Sequence, residues 1–420
     1  MRKIIASASL AALGAASMHA AYAQGMSTME QSKPWSIGLA VRGFYDDNYT
    51  TSPKDLERDS WGISVSPSVS LSKVWDQTSL GLSYVYDMRW YEDREQNEAD
   101  HIQTAKLHFE HAFNESVSLN VDDTFYYGQE GTVELGPVTQ PQVLETDADY
   151  IRNRARVELN ADFSETVGVR LAYQNEIYDY EQKGPNSRSA LLDRMEHTPQ
   201  VEGLWHFRPD TSGLLGYQFR LVNYRGSDDI FFAGVPTAFD PEVRDLQSHR
   251  VYAGVEHKAT QNLELGLRVG AEFNEYPDAD PLVDADIVDD DSSTTPFVDA
   301  RATWTYNPGS YLQLGVVHTL NATDVLALNQ ESTAVWALIN HRITPKLNGT
   351  LIGQFQHSSY NEGAFDDDTD LLYLVGVNFN YELNPYLALE AGYNWDKLDS
   401  DIGGRSYTRN RAYAGVRASY

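Results

Sequence analysis

Hydrophobic and polar residues alternate with a period of two along most of this chain. The clearest run is Leu80, Leu82, Tyr84, Tyr86, Met88 and Trp90, separated by Gly81, Ser83, Val85, Asp87 and Arg89. A second sets Trp61, Ile63, Val65, Pro67, Val69 and Leu71 against Gly62, Ser64, Ser66, Ser68, Ser70 and Ser72. Successive side chains of a strand point to opposite faces, so each run predicts a strand apolar on one side and polar on the other. Read in order, the pattern predicts eighteen strands. They lie near 35–46, 58–74, 78–91, 101–113, 116–128, 149–163, 166–180, 195–208, 212–225, 247–259, 263–276, 297–306, 311–322, 332–343, 347–360, 369–383, 386–396 and 406–420. Pro67 and Pro199 are awkward inside a ladder because neither donates a backbone hydrogen bond. The count falls to sixteen if one hairpin is a folded loop.

A soluble antiparallel sheet would alternate too. The connections separate the two cases. Every second one is very short: Trp75-Asp76-Gln77, Asn114-Glu115, Ser164-Glu165, Pro209-Asp210-Thr211, Thr260-Gln261-Asn262, Asn307-Pro308-Gly309, Pro345-Lys346 and Asn384-Pro385. Those between are long, as at 129–148, 181–194, 226–246 and 277–296. Short turns at one end and long loops at the other belong to barrels that cross a membrane. With both termini on the short-turn side the strand number must be even, and eighteen strands use eight short turns and nine long loops. The expected fold is therefore all-β, a transmembrane antiparallel up-and-down β-barrel over 35–420. Its short turns would be periplasmic and its long loops extracellular. The closing alternation of Ala412, Ala414, Val416, Ala418 and Tyr420 resembles the final strand of bacterial outer-membrane barrels, with Tyr420 as the signal read by the barrel-insertion machinery.

The amino end agrees. Arg2 and Lys3 precede an apolar stretch ending at Ala21-Tyr22-Ala23, the pattern of a cleaved secretory signal over 1–23. A short periplasmic segment, 24–34, would follow, too short for a plug domain. The absence of cysteine removes disulfides, thiolate zinc sites and a cysteine nucleophile. Lys and Arg number 32 against 61 acidic residues, a net charge of -29; losing Arg2 and Lys3 with the signal leaves 30 against 61, or -31. That sign excludes a nucleic-acid partner. Mean hydropathy is -0.47, yet 12% of residues are aromatic, which suits strands apolar on one side with aromatic girdles. No apolar run of about 18 residues follows the signal, so helical spans are excluded. Strands can cross lipid only when closure gives every backbone amide a partner. The expected setting is the outer membrane, with its lipid and lipopolysaccharide as partners and no cofactor.

If the apolar phase faces lipid, the polar phase lines the lumen. The candidate lining residues are Arg154, Arg156, Glu158, Arg170, Glu176, Glu202, Arg220, Glu256, Arg268, Glu272, Arg301, Glu390, Arg411 and Arg417. Charges of both signs on neighbouring strands would pair across the wall, and so wide a barrel would hold water. Passage of small hydrophilic solutes is the physical default; wall pairing that merely stabilises the barrel is the alternative. The loop 227–245 carries Phe231, Phe232 and Phe239, too apolar for open solvent, and these are candidates for an inward constriction or a subunit contact. Seven aspartates occupy 278–291. Asp286, Asp289, Asp290 and Asp291 are the candidates for a divalent cation, but their spacing lacks the glycine and terminal glutamate of an EF-hand. A solvated acidic loop drawing cations to the mouth accounts for them more simply. The eleven histidines are scattered, and no G-x-S-x-G, H-E-x-x-H or phosphate loop occurs, so no catalytic residue is nominated.

Gly43-Phe44-Tyr45-Asp46-Asp47-Asn48-Tyr49, at the end of the first strand, resembles the Asp-Asn turn that opens members of the putative β-barrel porin 2 family. The Trp61–Leu71 strand and the aromatic terminus fit that resemblance. It implies a single outer-membrane barrel, and gives Asp47 and Asn48 a turn-forming role. Some members look like ports for polysaccharide export, so three functions stand: a porin-like channel for small solutes, a polysaccharide exit port, and a non-conducting structural or adhesive barrel.

Overall fold

The computed structural model describes residues 34–95, 97–129, 149–232 and 235–420. The expected signal (1–23), all but one residue of the 24–34 segment, and residues 130–148 of one long loop lie outside them.

Eighteen strands form one antiparallel sheet. In chain order they are β1 (Trp35–Asp46), β2 (Ser60–Val74), β3 (Thr78–Tyr91), β4 (Ala99–Ala112), β5 (Val117–Gln129), β6 (Asp149–Asp162), β7 (Val167–Tyr180), β8 (Arg194–Arg208) and β9 (Thr211–Tyr224). The second half comprises β10 (Leu246–Thr260), β11 (Leu263–Glu275), β12 (Ser292–Asn307), β13 (Ser310–Asn321), β14 (Ala327–Arg342), β15 (Leu347–Gly363), β16 (Thr369–Asn384), β17 (Leu387–Ser400) and β18 (Tyr407–Ser419). Each strand pairs with the next, and β18 pairs with β1 in register Gly38↔Ser419 through Asp46↔Arg411. The sheet is closed. The sixteen-strand alternative is thereby removed.

Two strands start earlier than the alternation predicts. β12 begins at Ser292 rather than 297, and β14 at Ala327 rather than 332. Most of the added residues are polar on both faces (Ser292-Ser293-Thr294-Thr295 and Asn329-Gln330-Glu331), so side-chain periodicity cannot report them. Backbone pairing can, as Glu275↔Ser292 and Asn321↔Gln330. The two awkward prolines each cost ladder contacts on one side only. Pro67 pairs with Leu39 on β1, while the β2–β3 register skips from Val65↔Met88 to Ser68↔Val85. The Ser64 and Ser66 hydroxyls fill the gap by donating to Asp87, each at 2.6 Å. Pro199 pairs with Tyr173 on β7 and leaves the matching gap toward β9.

On β1 the outward residues Trp35, Ile37, Leu39 and Val41 are exposed, and the inward Ser36, Ala40 and Asp46 are buried. This inversion of the soluble pattern repeats round the barrel and leaves a continuous apolar belt that only lipid can cover. Trp35, Tyr386 and Tyr420 cluster at its periplasmic rim, with ring centroids 5.9 and 6.3 Å from Tyr420.

The Gly43–Tyr49 motif does more than turn the chain. Asp46 accepts from Arg409 Nε at 3.0 Å, both groups being buried. Asp47 accepts from the backbone and side-chain nitrogens of Asn410, each at 2.6 Å. Asn48 Nδ2 donates to Thr408 O at 3.0 Å and to Ser52 O at 2.8 Å. The last residue of β1 and the two that follow it thus clasp three of β18. Slipping this seam by one residue would turn every side chain of β18 to the wrong face.

Asp46→Ala leaves the Arg409 guanidinium buried beside a lost counter-charge and should destabilise the barrel by about 3 kcal/mol or more. Denaturant titration in detergent, read by the shift between folded and heated bands on electrophoresis, measures this; an unchanged midpoint would remove the clasp's role.

Candidate functional site

All fourteen candidate lining residues occupy the inward phase of their strands. Arg154, Arg156 and Glu158 lie on β6, Arg170 and Glu176 on β7, Glu202 on β8, Arg220 on β9 and Glu256 on β10. Arg268 and Glu272 lie on β11, Arg301 on β12, Glu390 on β17, and Arg411 and Arg417 on β18. They do not simply pair with immediate neighbours. Arg268 of β11 donates to Glu202 of β8 at 2.9 Å and to Glu256 of β10 at 2.7 Å. Arg170 of β7 donates to Glu202 at 2.5 Å and to Glu256 at 3.2 Å. Tyr252 donates to Glu202 at 2.8 Å, and Arg156 Nη2 to Gln200 at 3.2 Å. Adjacent strands stand about 4.8 Å apart, so a bond that skips two strands crosses the lumen edge instead of following the wall. This arc of the interior is filled by side chains. Long arginine stems fill this arc, while the inward residues of β3–β6 stay half-buried.

Above the arc, four extracellular connections fold inward and share one apolar core. The β7–β8 loop supplies the helix α1 (Arg188–Leu192), started by Ser187, whose hydroxyl accepts from Ala190 N. The β9–β10 loop supplies a two-residue ladder, Ile230–Phe231 with Ala238–Phe239, and a 3-10 turn, Pro241–Arg244. The β11–β12 loop supplies the helix α2 (Asp280–Asp284), and β13–β14 the turn 322–326. Leu191, Leu192, Ile230, Phe232, Phe239, Val243, Leu282, Val288 and Leu320 pack together. Burying each such side chain contributes roughly 1.5–3 kcal/mol, enough to hold loops that would otherwise be mobile. Phe232 and Phe239 therefore sit in this cap, whereas Phe231 is exposed.

Asp324, at the tip of the 322–326 turn, ties the cap together. Its side chain is fully buried and accepts from Arg188 Nη1 at 3.1 Å and from Arg405 Nη1 and Nη2 at 2.6 and 2.8 Å. Arg188 follows β7 and Arg405 follows β17, eight steps apart round the ring of eighteen, so the carboxylate links nearly opposite rims. Burial opposes charge on Arg405, but Asp324, Tyr360 and Asp370 hold its guanidinium well above its ordinary range. Arg244 binds the Leu191 and Thr323 carbonyls, both at 2.8 Å, and burial pushes it down. Burial likewise raises Asp193 and Asp245, which accept the Tyr180 and Tyr224 amides at 2.6 and 2.7 Å.

The acidic loop is not uniformly solvated: Leu282 and Val288 anchor it in the cap. Asp286 adopts φ 57°, the Asp289 amide donates to Glu362 at 2.7 Å, and Asp290 accepts from Ser292. Among the described residues, no three His, Asp or Glu side chains converge as a metal would require. Sequence reasoning missed Arg188, Asp324 and Arg405, which sit in loops without periodicity, and Tyr252, whose bonds to Gln200 and Glu202 form only across the lumen.

Among the described residues, the water-accessible part of the lumen borders β3–β6. Inward residues there are half-buried along most of each strand, while those of β13–β17 are mostly buried. Arg89 pairs with Asp87 at 2.7 Å and His108 with Asp122 at 2.6 Å on this wall. Arg152 and Arg154 share Glu176, and Arg156 reaches Glu158 at 2.9 Å.

Residues 242–420 match the family described as "Putative beta-barrel porin 2", a stretch that begins just before β10 and leaves the Gly43–Tyr49 motif outside it. No curated protein matches the sequence. Among solved structures the fold is similar to a BenF-like porin from Pseudomonas fluorescens Pf-5, at 9% identity and a TM-score of 0.46, covering 92% of this chain and 99% of that one. It is also similar to the outer membrane protein opdK from Pseudomonas aeruginosa, at 10% identity and 0.46, with the same coverage. OccAB4 from Acinetobacter baumannii gives 9% and 0.45, again covering 92% and 99%. The chain is an outer-membrane β-barrel.

Asp324→Ala should loosen the cap while leaving the barrel wall intact, because it removes the buried carboxylate that joins Arg188 to Arg405, at a cost of about 3 kcal/mol. Trypsin added to the folded protein should then cut after the normally buried Arg244 much faster than in the parent, detected by mass spectrometry.

Proposed function

We propose that this outer-membrane barrel is a channel for small hydrophilic solutes, which pass along the β3–β6 side of the lumen beneath the inward-folded cap. The observation that carries this reading is the half-exposed row Arg152, Arg154 and Arg156 on β6, charged groups left facing water in the interior of a closed barrel. A wall of charged side chains replaces part of a polar solute's hydration, which an apolar wall cannot do. The filled arc and the cap narrow the path, so the solutes are small. An aqueous passage bounded by closed strands needs no moving part in the wall, only in the loops above it.

Planar-bilayer recording tests the reading. The parent protein should give discrete unitary steps, and Asp324→Ala should give larger steps, because the cap no longer ties opposite rims. Current that is unaffected by added oligosaccharides is expected. Block by oligosaccharides would instead favour the polysaccharide port, and a barrel that folds but never conducts would leave only a structural role.

A further inference from the structure

We infer that the cap holds a single-atom anion, a halide such as chloride, in the cavity lined by Arg244 and Tyr276, and that this ion locks the loops over the barrel mouth. The inference does not depend on what the lumen passes. It starts from an imbalance of charge under the cap. Glu196 accepts from Arg194 at 2.8 Å and from Arg220 at 2.9 Å. Asp324 accepts from Arg188 and Arg405, and Asp370 accepts from Arg405 at 2.9 Å. Among the described residues Arg244 pairs with no carboxylate: it is 3% exposed, and its Nη1 and Nη2 donate to the neutral carbonyls of Leu191 and Thr323. The Tyr224 ring, 5.0 Å from the guanidinium carbon, adds only the weaker attraction of an aromatic face. A buried charge held by neutral groups alone is costly. Burial accordingly pushes Arg244 down, whereas carboxylates hold Arg405 up.

The same arginine lines a cavity with about 10 Å³ of room, beside Arg220, Tyr276 and Asn329. Arg244 Nε is buried and has no hydrogen-bond partner. The Tyr276 hydroxyl accepts from Asn329 Nδ2 at 2.8 Å, which leaves its own proton to give, and burial raises the hydroxyl so that the proton is kept. Two donors and an unpaired positive charge therefore meet at one small cavity.

That chemistry selects the occupant. It must accept two hydrogen bonds, carry negative charge and fit a space that admits about one water-sized particle. A carboxylate or a phosphate is too large, and a cation is repelled by both arginines. Water would accept the hydrogen bonds but leave the charge of Arg244 uncompensated. A halide meets all three conditions. Arg244 follows β9 and reaches carbonyls of α1 and of the 322–326 turn, while Tyr276 opens the β11–β12 loop. An ion seated between them draws on four connections at once, and binding only to the closed cap stabilises it by mass action.

Hydrogen exchange of the folded full-length protein in detergent tests this, run in sodium chloride and in sodium gluconate at equal concentration. Amides of 188–192 and 242–246 should exchange about fivefold or more slowly in chloride, and those of the wall strands equally in both. Bromide should protect as chloride does; acetate should not. Tyr276→Phe, which keeps every charge, should weaken the chloride effect, and Arg244→Gln should abolish it. If Arg244→Gln does not fold, as judged by its unheated electrophoretic band, Tyr276→Phe still reads the site. Crystals grown in bromide should show anomalous scattering between Arg244 and Tyr276. Equal exchange in chloride and gluconate, protection unmoved by Tyr276→Phe, or bromide crystals with only water in the cavity would overturn the inference.

Discussion

The requirement that every backbone amide in lipid find a partner governs this protein. An open sheet edge in hydrocarbon would leave several unpaired groups, each costing several kcal/mol, so β1 and β18 must meet in register although almost the whole sequence separates them. Backbone pairing alone would tolerate a slip, since all registers offer similar ladders. Asp46, Asp47 and Asn48 remove that tolerance by engaging Thr408, Arg409 and Asn410 through side chains as well as main chain. Closure then determines which face of every strand is wet.

A wet face does not mean an empty lumen. Buried ion pairs cost desolvation that their attraction repays only with good geometry and further hydrogen bonds. The lumen of β7–β11 meets that condition through sharing: Glu202 is served by Arg170, Arg268, Gln200 and Tyr252, and Glu272 by Arg250 and Ser248. Such a network braces non-adjacent strands and fills space that would otherwise be water. The water-accessible sector lies beside this arc, along β3–β6.

The cap follows from a different balance. Loops of this length are ordinarily mobile, yet these carry enough Leu, Ile, Phe and Val to form a small core of their own at the barrel mouth. Polar groups drawn in with that core had to be satisfied: Asp193 and Asp245 close their own connections on the Tyr180 and Tyr224 amides, and Arg244 and Asp324 find partners on other connections. Asp324 reaches furthest, and so holds loops from nearly opposite rims against one another.

What the sequence determined by itself is whatever depends on near neighbours: eighteen strands, their inward and outward faces, and the turn-and-loop rhythm. Side-chain alternation is a local property, legible wherever the two faces differ in polarity. It failed at Ser292–Thr295 and Asn329–Glu331, where both faces are polar and only ladder pairing defines the strand. The apolar residues of 227–245 showed that this loop could not lie in open solvent, but not where it went. Tertiary structure alone decided that Asp47 and Asn48 would bind the last strand, that Arg268 would reach past two strands to Glu202, and that Asp324 would meet Arg188, 136 residues away. Those contacts depend on the curvature of a closed wall and on loops packing over its rim, and neither leaves a trace in the spacing of residues along the chain.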